Sequence, residues 1–176
     1  MIQDSYPWKQ ELKRTAKWLK ALRLSDGPEE KKLLRLEKAL FFSAYAIRKL
    51  KEANKLTDRA TARRLKLEAY PVLEQVTLIN YWKWPEVCDQ NASVYRDISI
   101  LELCHQLVHS FVFSPVFDEK GALHSVVVAS DRQRRDVLLC VTLTQLLDVL
   151  ESVANDVVRH IDYRRDDAGK ETIRLS

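Results

Sequence analysis

The segment from Ala39 to Ile47 restricts the fold more than any other part of the chain. Eight of its nine residues are apolar or aromatic, and Ser43 is the exception. On a helix such a run is apolar around nearly the whole circumference, which is typical of a helix that its neighbours cover on most sides. The sequence therefore predicts a central helix that runs from the Pro28–Glu29 start to about Lys55. The positions that we expect in the core are Phe41, Phe42, Tyr45 and Ile47.

Other stretches place apolar side chains three and four residues apart, the spacing that indicates amphipathic helices. These stretches are Trp8–Leu24, Asp97–Ser110 and a last helix that Thr142 or Thr144 caps and that extends through Ile161. A strongly basic helix is predicted from Arg59 to about Tyr70, where Pro71 ends it. Between the first two helices, residues 25–28 interrupt the helical pattern. Asp26, followed three residues later by Glu29, resembles the start of a capping box.

Strand signals are concentrated before the last helix. Residues 111–117 and 123–129 are rich in Phe and Val and flank the turn-forming residues 118–121, which predicts a hairpin. Val137–Leu143 is a candidate third strand. Residues 72–93, which include Trp82 and Trp84, are interpreted as an ordered loop with a short strand at Gln75–Tyr81.

The predicted fold class is therefore α+β and mostly helical. One domain, residues 1–162, forms a helical bundle. An antiparallel β-hairpin or small three-stranded sheet, at about residues 111–142, is inserted before the last helix. Residues 163–176 are expected to form a polar, frayed tail.

The composition excludes several classes of function. The chain of 176 residues has three glycines, Gly27, Gly121 and Gly169, too far apart for a phosphate-binding glycine loop. The three cysteines, Cys88, Cys104 and Cys140, are odd in number and form no CxxC pair, which favours reduced, buried thiols. We expect no cofactor and no metal. Met1–Thr15 carries scattered charges and the apolar runs are short, so we also expect a cytoplasmic protein with no membrane partner.

Charge is distributed unevenly along the chain. Residues 1–84 carry a net charge of +9 and residues 85–176 a net charge of −5. Such polarity can attract a polyanion to one side of a protein, although solvated helix faces are the commoner cause. RNA or DNA is accordingly a possible partner. The candidate nucleic-acid-binding residues are Arg59, Arg63, Arg64, Arg132, Arg134 and Arg135. Trp82 and Trp84 could stack on bases, but covering the core is the better interpretation.

The candidate catalytic residues are His105 and His109. Four residues apart on a helix, they project from one face, and imidazole titrates near neutral pH, so the pair could perform acid–base chemistry. Glu102 lies on the same face, but Gln106 follows the first His where a zinc-protease motif needs Glu, and no second Glu-x-x-His exists. A purely structural role for both histidines is the favoured alternative.

The segment Cys104-His105-Gln106-Leu107-Val108-His109 resembles the signature of HEPN domains (higher eukaryotes and prokaryotes nucleotide-binding). That signature is an Arg, a polar residue, three further residues and a His. The resemblance implies an all-helical bundle that acts as a nucleotide-binding module or a metal-independent ribonuclease in prokaryotic defence or toxin–antitoxin systems. Cys104 stands at the Arg position, and a thiol cannot replace a guanidinium that holds a phosphate.

These observations lead to three functional hypotheses. The first is a non-catalytic, HEPN-like binding module that engages nucleic acid or a protein partner. The second is a metal-independent ribonuclease that uses His105 and His109. The third is a structural or oligomerisation subunit, for example one that forms a homodimer. Because Cys104 offers no positive charge to a phosphate, the first and third are favoured over the enzyme.

Overall fold

A five-stranded antiparallel sheet forms the centre of the protein. The structure is a computed structural model that describes residues 2–24, 29–166, 169 and 171–176. The strands are β1 (Arg64–Pro71), β2 (Val94–Ser99), β3 (Ser110–Phe117), β4 (Leu123–Ser130) and β5 (Val137–Thr142), in the spatial order β2-β1-β5-β4-β3. Strands β2 and β3 are therefore the two edges.

Helices cover one face of this sheet. They are α1 (Tyr6–Ala21), α2 (Glu30–Glu52), α5 (Ile100–Val108) and α6 (Leu143–Asn155), whereas the short helices α3 (Asp58–Thr61) and α4 (Trp84–Val87) lie in the connections before β1 and β2. Helices α5 and α6 lie directly on the central strands, α1 packs along α6, and α2 packs along α5. The contact between α1 and α2 is much smaller, so the two outer helices diverge.

The prediction of a mostly helical bundle with a small inserted sheet is wrong. The sheet is a complete layer of five strands, and a separate two-stranded sheet follows α6. The predicted hairpin at 111–129 and the third strand at Val137 are confirmed as β3, β4 and β5. The error lies in the two strands β1 and β2, which extend the sheet to the other edge.

The predicted basic helix from Arg59 to Tyr70 stops at Thr61, and strand β1 occupies most of the remaining segment. Arg, Lys, Leu, Glu and Ala all favour helices, so local propensity indicates the wrong element. The burial pattern has a period of two: Leu65, Leu67 and Ala69 face the helices, and the residues between them face away. Pairing with β2 on one side and β5 on the other decides the conformation, because tertiary pairing outweighs a weak local preference.

Strand β2 continues directly into α5, so the sequence pattern does not mark where the strand ends and the helix begins. The Ser99 hydroxyl accepts a hydrogen bond from the Glu102 amide at 3.1 Å, and the Glu102 carboxylate accepts one from the Ser99 amide at 2.6 Å. This capping box fixes the helix start at Ile100, three residues after the predicted Asp97. The residues from Val94 to Ser99 are thereby left to pair with β1.

The segment 72–93 covers part of the second face of the sheet. Val76, Val87 and Cys88 are buried there against Val127 and Leu138, and the Tyr70 and Trp84 rings stack at 5.9 Å. The segment contains a 3₁₀ turn at Tyr81–Lys83 and the short α4, not the predicted strand at Gln75–Tyr81. Trp84 covers the core as interpreted, whereas Trp82 is exposed.

The polar tail expected at residues 163–176 contributes two paired strands instead. Strand β6 (Ile161–Arg165) pairs with β7 (Glu171–Leu175), so α6 ends at Asn155 and does not extend to Ile161. Leu175 is buried, and its amide donates to the Asp58 carboxylate at 2.9 Å, which anchors the hairpin to α3. The proposed start signal at Asp26 and Pro28 lies outside the described residues.

All three cysteines are free and buried. Burial raises the pKa of Cys88 to about 11 and that of Cys104 to about 12. In the described part of the chain, no helix has the length and apolar character that crossing a bilayer requires.

Candidate functional site

His105 and His109 lie beside each other at the end of α5. Their ring centroids are 4.6 Å apart, and both side chains are exposed. The His109 carbonyl accepts a hydrogen bond from the Asp131 amide at 3.3 Å, and Gln106 accepts one from the Ser130 amide at 2.8 Å. These two bonds fix the histidine pair at the end of the sheet where β3 begins and β4 ends.

Helix α2 supplies a positive charge to this region. Partial burial lowers the pKa of His105 below its ordinary value of 6.5, and the charges of His109 and Arg48 lower it further. Arg48 acts in the same direction on the buried Cys104 thiol. The guanidinium of Arg48 on α2 thus acts electrostatically on both His105 and Cys104 of α5.

Glu102 is not available as a third ligand to the pair. Its carboxylate closes the Ser99 capping box, and the hydrogen bond from the Ser99 amide lowers its pKa. Among the residues that the structure describes, no group of three or more His, Cys, Asp or Glu side chains is arranged to hold a metal ion.

The first arginine cluster is largely engaged within the protein. The Arg63 guanidinium pairs with the Asp148 carboxylate of α6. Arg64 binds the side chain of Asp97 on β2 at 2.8 Å and its carbonyl at 2.6 Å. Arg59 is exposed on α3, which ends at Thr61, so Arg59 and Arg63 do not share a helix as the predicted basic helix would require.

The second cluster occupies the turn between β4 and β5. Arg134 donates to the Val76 carbonyl, pairs with Asp131 and lies over the Phe111 ring at 3.7 Å, so it holds segment 72–93 against the sheet. Arg132 and Arg135 are exposed.

The sheet register separates the two clusters. Pro71 at the end of β1 pairs with Val137 at the start of β5, so residues 132–135 lie at the end of the sheet opposite Arg64. The eight residues of β1 span about 26 Å at roughly 3.3 Å per residue. The structure therefore brings the second cluster, not the first, to the end that holds His109.

A larger concave site, which the sequence did not indicate, lies between the two divergent outer helices. This α1–α2 groove has a volume of about 880 Å³. Its floor consists of small, buried or half-buried side chains, and its walls are aromatic. The floor residues are Thr15, Ala39, Ser43 and Ala46, and the aromatic residues are Trp8, Trp18, Phe41, Phe42 and Tyr45.

The side chains that line the groove show that part of the predicted core of the central helix is wrong. Ile47 is buried as predicted, but Phe42 is 70% exposed and Tyr45 is 46% exposed, so their assignment to the core is wrong. Phe41 is half-buried, with its ring 5.0 Å from Phe113. The segment Ala39–Ile47 of α2 is apolar on nearly all sides, yet α1 packs along α6 and leaves one of those sides open.

Cations surround this opening. Arg14, Arg35 and Lys38 line the groove, and the Arg35 guanidinium lies over the Trp18 ring at 4.5 Å. Among the described residues that line it, Glu11 is the sole acidic one, and its carboxylate pairs with Arg14 at 3.1 Å. The groove is thus an apolar channel with a positive rim.

Comparison of the chain with protein-family models, curated proteins and solved structures finds no match. Function must therefore be inferred from the geometry of these sites.

Proposed function

We propose that this protein is a protein-binding module that receives a helical segment of a partner in the α1–α2 groove. The observation that carries the proposal is the exposure of Phe42 and Tyr45 on a helix whose other sides are buried. Exposed apolar patches with polar rims are typical of interaction sites, because their exposure to water is otherwise unfavourable.

The shape of the groove favours a helix over an extended strand. Two helices form its walls, and α1, with 16 residues, is about 24 Å long at 1.5 Å per residue. An amphipathic helix of three to four turns could place apolar side chains, spaced three and four residues apart, onto the small floor residues. Trp8 and Tyr45 are of the residue types that often dominate the binding energy of an interface, and aromatic residues such as Phe42 are enriched in interfaces.

A selection from a displayed library of random helical peptides tests this proposal with the full chain as bait. We expect enriched peptides to share an apolar stripe with helical spacing. Hydrogen exchange of the complex should show protection concentrated in residues 8–18 and 35–46. Failure to enrich any helical sequence, or protection confined to another part of the protein, would contradict the proposal.

Metal-independent RNA cleavage by the histidine pair is the second candidate. The observation that favours it is the proximity of His105 and His109 together with the charge of Arg48. One imidazole could accept a proton from a ribose hydroxyl while the other donates one to the leaving oxygen. Arg48 would then hold the phosphate in place of the arginine that the HEPN-like segment lacks.

For this second candidate we expect cleavage of single-stranded RNA that persists in excess chelator. His105→Gln, His109→Gln and Arg48→Gln should each lower the rate by about 10²-fold or more, since proton transfer alone contributes about 10²–10⁴-fold. His124→Gln, an exposed histidine on β4, is the matched control and should leave the rate unchanged. A wild type without activity, or activity that all three variants retain, would exclude the pair as a nuclease.

A further inference from the structure

We infer that the helix that occupies the α1–α2 groove is acidic along both edges of its apolar stripe. This inference rests on the proposed function and adds the charge of the partner. It follows from the rim of the groove and from the charge of the helices that form it.

The rim has unmatched positive charge. Glu11 pairs with Arg14, whereas the Arg35 guanidinium contacts an aromatic ring and Lys38 lies farther along the same side of α2. The outer layer as a whole is basic: the described residues up to Lys55 include 14 Lys or Arg and six Asp or Glu. An anionic partner would be attracted to this layer from a distance and oriented before contact.

The same charges disfavour a second copy of the chain as the occupant. A twofold dimer through the groove would bring the positively charged rim of one copy, which includes Arg35 and Lys38, against the same rim of the other, because such an interface uses one patch twice. Like charges across an interface are unfavourable, particularly where apolar walls exclude water. An acidic helix supplies the apolar stripe without this repulsion.

Two synthetic helices of about 20 residues test the inference on the full chain. Both carry the same leucine stripe, and the flanking positions are Glu in one peptide and Lys in the other. At low salt we expect the Glu peptide to bind about tenfold more tightly, the effect of a few exposed charge pairs. The difference should decrease as salt rises, because ions screen exposed charges.

Rim variants locate the effect. Arg35→Gln and Lys38→Gln should each reduce the preference for the Glu peptide, whereas Lys31→Gln, on the same helix but outside the groove, should not. Equal affinity of the two peptides would overturn the charge inference and leave the proposed function intact, whereas a lack of binding by either would contradict the proposed function. A dimer in sedimentation that Phe42→Arg dissociates would identify a second copy as the occupant and overturn the inference.

Discussion

We expect Leu40→Ala to lower the free energy of unfolding by about 2–5 kcal/mol, the usual cost of removing a buried leucine side chain. Leu40 is 1% exposed on the side of α2 that packs against α5. Phe42→Ala, only two positions farther along the helix, should cost less than about 1 kcal/mol because most of its ring is already in water. The larger side chain is thus predicted to have the smaller effect.

Urea unfolding of the two variants measures this contrast. Both substitutions end in Ala on the same helix, so helix propensity contributes little to the difference. A cost of 3 kcal/mol or more for Phe42→Ala would show that the aromatic side of α2 is covered and that the groove is closed.

The second large effect is expected at Lys9, which is buried in α1 with 7% of its surface exposed. Its ammonium donates to the Lys55 carbonyl at 2.9 Å and to the Asp156 carbonyl at 2.6 Å, just beyond α2 and α6. The carboxylate of Asp156 in turn accepts from the amide and hydroxyl of Thr57, both at 2.7 Å. One lysine thus joins the ends of three helices and the start of α3.

Lys9→Met keeps the aliphatic part of the side chain but removes the donors, so two carbonyls lose their partner. Hydrogen bonds from charged groups contribute about 1.5–3 kcal/mol each, and we expect a loss of about 2–4 kcal/mol in the free energy of unfolding. Lys13→Met, one turn along the exposed side of α1, is the control and should change it by less than about 0.5 kcal/mol. Equal effects of the two substitutions would show that the contacts of Lys9 do not stabilise the fold.

Elements with strong local signals were predictable from the sequence. Helices α1 and α2, the β3–β4 hairpin and β5 follow from periodicity and from the turn before Gly121. Of the two predicted caps for α6, Thr142 and Thr144, the structure has Thr142, whose hydroxyl accepts a hydrogen bond from the Gln145 amide at 3.3 Å. Strand β1 was not predictable from local propensity, since its lysine, leucine, glutamate and alanine residues favour a helix. The alternation of Leu65, Leu67 and Ala69 was the available signal.

The candidate sites also combine features that the sequence predicts with features that only the tertiary structure shows. The side-by-side placement of His105 and His109 follows directly from their spacing on a helix. Other features depend on contacts between segments far apart in the chain, which one sequence does not reveal. They are the effect of Arg48 on His105, the hydrogen bond from Arg134 to the Val76 carbonyl and the separation of the two arginine clusters. The groove depends on the divergence of α1 from α2, and the apolar character of Phe42 and Tyr45 is compatible with either core or binding surface.

The affinity of a selected helical peptide for the wild type and two variants tests the central claim most directly. Phe42→Arg places a charge on the aromatic wall of the groove and should weaken binding by about 100-fold, as loss of a central aromatic contact does. Ile79→Arg introduces the same charge at a residue that is 79% exposed on segment 72–93 and should leave the affinity unchanged. If Phe42→Arg binds the peptide as tightly as the wild type does, or if Ile79→Arg loses binding instead, the α1–α2 groove is not the binding site.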